Sequence, residues 1–232
     1  SNRMKNEVIK QRIRRGSTMA VGSPWYHLIQ NYSLNTFLDR NADQRDKFLY
    51  FPSHSFPGWL NSKHNTALRD VMSLVGDLKP QACLYWLDFI DDNIRSSFEE
   101  HGFEVKCAGF RGSSGFEYPW VNNGNRIMYL PNLFDYLAKA KVVMVDEVGT
   151  AFFYAASLGI PVMFSRLATT WINQTNMSST QEFIDSKAVL RSLGYGGRLT
   201  VNEPLENTIS DIAKMELGWD AEDAPYFLKG MS

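Results

Sequence analysis

The stretch from Val142 to Phe164, VVMVDEVGTAFFYAASLGIPVMF, constrains the fold more than any other part of the chain. An apolar run, Val142 to Val145, meets polar Asp146-Glu147, then Gly149-Thr150, a helical pattern, Gly159-Ile160-Pro161 and a second apolar run. That order reads as strand, tight turn, helix, turn, strand, the repeating unit of a parallel α/β sheet. The first turn puts the backbone N–H groups of Gly149, Thr150 and Ala151 at a helix N-terminus, ahead of any intrahelical acceptor, where the peptide dipoles add partial positive charge. A phosphate or diphosphate suits such a position. Parallel α/β proteins need many turns of this kind for purely structural reasons, so that reading stays open beside the anion site. Neither GxGxxG nor GxxxxGK(S/T) occurs, which speaks against a dehydrogenase-type dinucleotide site and against a P-loop NTPase.

The same alternation runs upstream. Phe48 to Phe51 reads as a strand, Asn65 to Leu78 as a helix, Ala82 to Leu87 as a strand, Asp92 to His101 as a helix stopped by Gly102, and Phe103 to Cys107 as a strand. A Gly- and Ser-rich loop, Arg111 to Asn125, leads to a short strand at Ile127 to Leu130, and Pro131 then opens a helix whose period runs from Leu133 to Lys139. Repeated β-α order predicts a Rossmann-like, doubly wound parallel sheet with helices on both faces and right-handed crossovers. On this reading residues 47–232 form the Rossmann-like domain. Residues 1–46 are a partial N-terminal segment and linker, with a strand at Thr18 to Val21, a short aromatic helix at Trp25 to Gln30 and a polar stretch from Asn35 to Asp46. Two further helices are expected at Gln181 to Leu193 and Leu205 to Leu217.

At 232 residues and 44% hydrophobic the chain can bury a substantial core. Lys and Arg number 24 against 25 Asp and Glu, so no global field draws it to nucleic acid, and an anionic ligand has to be held locally. Cys83 and Cys107 each sit on an apolar segment without zinc spacing, and read as buried, reduced thiols of a cytoplasmic protein. His27, His54, His64 and His101 form no HExxH pair, and no metal is expected. His27 reads as part of the aromatic helix, His64 as a helix N-terminal residue and His101 as a cation at a helix C-terminus. No window matches a spanning helix. Basic residues between Lys5 and Arg15 would permit peripheral contact with an anionic membrane, although a solvated helix face explains them as well.

In a doubly wound sheet the ligand sits beyond the carboxyl ends of the strands, where strand order reverses. The loops after Phe51, Leu87, Cys107 and Val145 share that rim. His54, flanked by the candidate substrate-binding hydroxyls of Ser53 and Ser55 and held by Pro52 and Pro57, can contact a phosphate or act as a general acid or base, or simply cap its loop. Glu147 can accept hydrogen bonds from a ribose or sugar diol, or merely complement the helix dipole. Thr150 offers a hydroxyl as well as its N–H, or serves as an N-cap. Arg111 and Arg126, in and just past the long loop, are candidate phosphate clamps because a guanidinium can bind two oxygens at once; as surface arginines they would be ordinary.

The block Tyr129 to Leu133, then Ala140 to Val145, Glu147 to Ala151 and Tyr154 to Val162, resembles the C-terminal half of GT-B-fold nucleotide-sugar enzymes. It is similar to capsule and teichoic-acid type transferases and to the UDP-GlcNAc 2-epimerase group. The resemblance implies a donor diphosphate on Gly149, Thr150 and Ala151, Glu147 near the donor's sugar or ribose, and His54 at the polar position after the domain's first strand. It implies a nucleotide-sugar as substrate with no further cofactor, a saccharide or lipid-linked acceptor, and a role in surface polysaccharide assembly. Two positions depart from the family pattern: Glu-Val-Gly-Thr replaces a serine-rich turn, and Ile160 stands where a lysine is usual. A complete enzyme of this kind has two domains of comparable size, and most of the first is absent here. A UDP-sugar epimerase, and a non-catalytic nucleotide-binding or scaffold domain of the same fold, are the alternatives.

Overall fold

The computed structural model describes residues 23–31, 44–54, 59–62, 65–109, 129–165, 169–173, 179–182, 205 and 208–217. In chain order the elements are α1 (Pro24–Asn31), β1 (Lys47–Phe51), β2 (Trp59–Ser62), α2 (Asn65–Met72), β3 (Lys79–Leu84), α3 (Trp86–Ile90), α4 (Asp92–Glu100) and β4 (Glu104–Cys107). There follow α5 (Tyr129–Lys139), β5 (Ala140–Val145), α6 (Thr150–Ser157), β6 (Val162–Phe164), β7 (Thr169–Asn173), β8 (Ser179–Glu182) and α7 (Thr208–Glu216).

Five strands form a sheet in the order β4-β3-β1-β5-β6, and every pairing in it is parallel. The fold is therefore the Rossmann-like α/β sheet that the sequence predicts. Both faces are covered, so strands read as continuous apolar runs rather than alternating ones. In β1, Phe48 and Tyr50 pack with Ala82, Met144 and Phe98 on one face, while Leu49 packs with Val143, Val145 and Leu137 on the other. All three β1 residues are fully buried.

Helix α1 joins the same core. Trp25 is fully buried, stacks on Tyr154 at 4.2 Å and 10°, and donates from Nε1 to Ser157 Oγ at 3.1 Å. The chain just before it is tied to the far end of the sequence, where the Ser23 N–H donates to the Leu217 carbonyl at 2.9 Å. Residues on the amino side of position 46 thus contribute to the packing of the sheet.

Several elements differ from the sequence reading, each for a local reason. Helix α2 stops at Met72 rather than Leu78. Turn bonds such as Leu74 N–H to Val71 O at 3.0 Å follow, and Gly76 takes a left-handed φ of 58°. Strand β3 covers Lys79–Leu84, not Ala82 to Leu87, because the apolar run continues into the short helix α3 and hides the strand's end. Tyr129 and Leu130 are helical, not extended. Pro131 is tolerated there because the first turn of a helix needs no intrahelical N–H bond. Gln181 and Glu182 lie in β8 instead of opening a helix. Helix α7 begins at Thr208, while Leu205 ahead of it donates its N–H to the Val162 carbonyl at 2.8 Å. The expected strand at Thr18 to Val21, residues 127–128 and residues 183–193 lie outside the described residues, as does His64.

A second sheet was not foreseen from the sequence. Strands β2, β7 and β8 pair antiparallel, with Trp59 opposite Asn173 and Ile172 opposite Ser179. Helix α4 does match expectation: the Asp91 carboxylate accepts from the Asn93 and Ile94 N–H groups at 3.0 and 3.2 Å. His101 closes that helix, with its Nδ1 2.7 Å from the Ser97 carbonyl, and Gly102 then turns the chain at φ 89°. Cys83 is buried and Cys107 only partly so, and neither forms a disulfide. Burial pushes the Cys83 thiol up to about 12, so it stays protonated and unreactive.

Candidate functional site at the carboxyl ends of the strands

With the sheet's own strands counted along the chain, the order β4-β3-β1-β5-β6 reads 3-2-1-4-5. From β1 the chain winds outward through β3 to β4, then crosses back to β5 and winds the other way. The two loops leaving β1 and β5 consequently diverge, and a crevice opens between them. An open cleft of about 140 Å³ lies there.

Four loops build it. At and after the end of β1 come Phe51, Pro52 and His54; after β3, Tyr85; after β4, Ala108 and Gly109; after β5, Glu147 and Gly149 to Phe152. Tyr129 and Leu133 of α5 close one side. Helix α5 is fixed to the end of β4 by two bonds, Asn132 Nδ2 to the Ala108 carbonyl at 3.1 Å and Tyr136 Oη to the Cys107 carbonyl at 3.3 Å.

His54, Glu147, Gly149, Thr150 and Ala151 all line this cleft. His54 is exposed, and its ring stacks on Tyr85 at 4.3 Å and 29°. Gly149, not Thr150, is the N-cap of α6, in extended conformation at φ −137° and ψ −167°. A Cβ built on Gly149 would meet nothing within 4 Å, so the space in front of the helix N-terminus is open. Ser53 is placed differently: it is buried, is not among the lining residues, and donates its N–H to Asp146 Oδ2 at 2.7 Å. Ser55, Arg111 and Arg126 lie outside the described residues. Among the described residues lining the cleft there is no lysine or arginine.

Sequence reasoning missed Tyr50, Ser165 and Tyr85, and it counted Asp146 only as a possible carboxylate of the site, whereas that residue does not line the cleft and instead accepts hydrogen bonds beneath it. Asp146 Oδ1 accepts from the Tyr50 hydroxyl at 2.7 Å and also from the Ser165 hydroxyl. Burial first, and then the Asp146 charge, push the Tyr50 phenol well above its ordinary value, so it remains a donor. The sequence carries half of this signal, since a carboxylate ending an apolar strand needs partners. The partners themselves come from β1 and from beyond β6, and no local pattern names them.

No helix among the described residues is long and apolar enough to cross a membrane. No protein-family model matches the chain, and no curated protein does. Among solved structures, the chain is similar to UDP-GlcNAc 2-epimerase from Neisseria meningitidis bound to UDP-GlcNAc, at 12% identity and a TM-score of 0.40. The match covers 99% of this chain and 58% of that one, so the chain spans a little over half the length of the epimerase.

Proposed function

We propose that this chain is the donor-binding domain of a GT-B-type glycosyltransferase that takes a nucleotide-sugar for surface polysaccharide assembly on the cytoplasmic side of the membrane. One observation carries the reading: at the switch point of the sheet, the N-terminus of α6, Glu147 and the aromatic residues Tyr85 and Tyr129 line one cleft. Each part suits a different portion of a nucleotide-sugar. The N–H groups of Gly149, Thr150 and Ala151 would hold the diphosphate, Glu147 would accept from a ribose or sugar diol, and the aromatic residues would face the base.

Transfer breaks the bond between the sugar and the donor phosphate, leaving negative charge on the departing nucleotide. Fixed dipoles aimed at that charge lower the barrier, and His54 would add a hydrogen bond or a proton at the same oxygen. The acceptor, a saccharide or lipid-linked sugar, would approach from the open side of the cleft. An epimerase needs several carboxylates around the sugar, whereas Glu147 is the only carboxylate among the described lining residues, which favours transfer.

The test is thermal unfolding of the purified chain with UDP, CMP, CDP, GDP or ADP, with and without magnesium. A ligand at 100 times its dissociation constant adds about 2.7 kcal/mol of stability. Selective stabilisation by one nucleotide is the expected result and would name the donor class. No shift with any of them would contradict the proposal.

A further inference from the structure

Asp146 does not line the cleft, yet its carboxylate ties together residues next to the segments that do. It is the first residue past β5, and it accepts from Tyr50 of β1, from the Ser53 N–H just past β1, and from Ser165 just past β6. All three donors are neutral, and all three residues are buried. A backbone bond reinforces the third tie, with the Ser165 N–H donating to the Val145 carbonyl at 2.9 Å.

Both clasped segments run on into the small antiparallel sheet. Past Ser53 the chain reaches β2 at Trp59, and past Ser165 it reaches β7 at Thr169. Trp59 lies six residues beyond Ser53 and Thr169 four beyond Ser165, reaches of at most about 20 Å and about 14 Å, and Asp146 holds the residue from which each connection sets out. On its own chain, Asp146 is followed directly by Glu147 and the Gly149 N-cap.

We infer that Asp146 is a positioning residue that couples the ligand cleft to the small antiparallel sheet. One carboxylate fixes the start of the His54 loop, the turn into α6 and Ser165 past β6 in a single arrangement. Displacing any one of these segments strains the hydrogen bonds of the others. Asparagine cannot substitute, because it offers one carbonyl oxygen where three donors need two acceptor oxygens. The clasp stands on hydrogen-bond geometry alone; that a nucleotide acts through it rests on the proposed function.

Amide hydrogen exchange on the full chain, resolved by NMR, tests both parts. In the natural chain the Ser53 amide should be protected, with its proton shifted downfield by the short bond to a carboxylate. In Asp146→Asn, exchange should rise about tenfold or more across 52–54, 59–62 and 169–173, the loss expected for a hydrogen bond to a charged group, while Ala82 and Val105 stay unchanged. A milder variant, Ser165→Ala, should loosen 59–62 and 169–173 and leave Ser53 protected, and Ser165→Thr should restore the natural pattern. An unprotected Ser53 amide in the natural chain would overturn the inference. So would a uniform rise throughout Asp146→Asn, or an unchanged small sheet in Ser165→Ala. UDP should slow exchange at 59–62 and 169–173 in the natural chain. Absence of any UDP effect alongside the predicted variant pattern would overturn the nucleotide reading and keep the clasp.

Discussion

The two ends of the parallel sheet each carry a carboxylate that gathers several donors, and the two are held in different ways. At the amino edge, Glu104 accepts from Lys106 at 2.7 Å, Lys47 at 2.8 Å and Gln81 at 3.1 Å, with Lys79 pairing Asp46 nearby. Those hydrogen bonds, Lys106 first and Lys47 next, hold the Glu104 carboxyl down at about 2. At the carboxyl rim, Asp146 accepts from a phenol, a serine hydroxyl and a backbone N–H. The amino edge neutralises its charges in exposed pairs, which contribute little to stability and respond to salt. The rim buries its donors and spends them on orientation. That contrast separates the end that shapes a cleft from the end that closes the sheet in solvent.

Asp146→Ala should have the largest effect, a loss of about 3 kcal/mol in urea unfolding, because the fully buried Tyr50 hydroxyl and the buried Ser53 N–H lose a charged acceptor. His54→Ala or Thr150→Ala should weaken nucleotide affinity by roughly 1 to 3 kcal/mol in isothermal calorimetry, while leaving the unfolding midpoint nearly unchanged. If both leave affinity untouched, the cleft is not the nucleotide site. Tyr50→Phe should cost about 1 to 2 kcal/mol of stability, less than Asp146→Ala because the Ser53 and Ser165 bonds remain. A larger cost than that of Asp146→Ala would show that packing, not the clasp, dominates at this position.

Glu104→Gln should have the smallest effect, below about 1 kcal/mol, and it should shrink further in high salt. Its pH dependence has a defined sign. The folded pKa of about 2 lies below the ordinary 4.5, so the contribution of Glu104 is present above pH 4.5 and is lost as pH falls toward 2. Acid titrations of the natural chain and the variant should therefore converge between those values. Convergence with rising pH instead would contradict the ion-pair account of the amino edge.

The core of the sheet was legible because a parallel strand covered on both faces needs an unbroken apolar run, which Phe48 to Phe51 and Val142 to Val145 supply. The turn into α6 was legible because Gly149 and Thr150 punctuate that run. Where an apolar run outlasts its strand, as from Ala82 through Leu87, periodicity cannot mark the end, and Trp86 and Leu87 at the start of α3 were read as strand. Tyr129 and Leu130 were misread for the same reason, with Pro131 mistaken for a boundary. The small sheet was not legible, since Trp59 pairs with Asn173 across most of the domain and neither segment shows a hairpin signal. The Asp146 clasp likewise joins Tyr50, Ser53 and Ser165 from distant segments, so only the folded chain brings it together.

On the proposed function, the carboxyl rim, and not the amino edge, binds a nucleotide. Titration of UDP, CMP, CDP, GDP and ADP in turn, followed by amide chemical shifts, tests it most directly. The account predicts that at least one nucleotide shifts the amides of Gly149, Thr150 and Ala151 in a saturable way and leaves those of Lys47, Gln81 and Glu104 in place. Shifts confined to the amino edge, or none at the rim with any nucleotide, would contradict it.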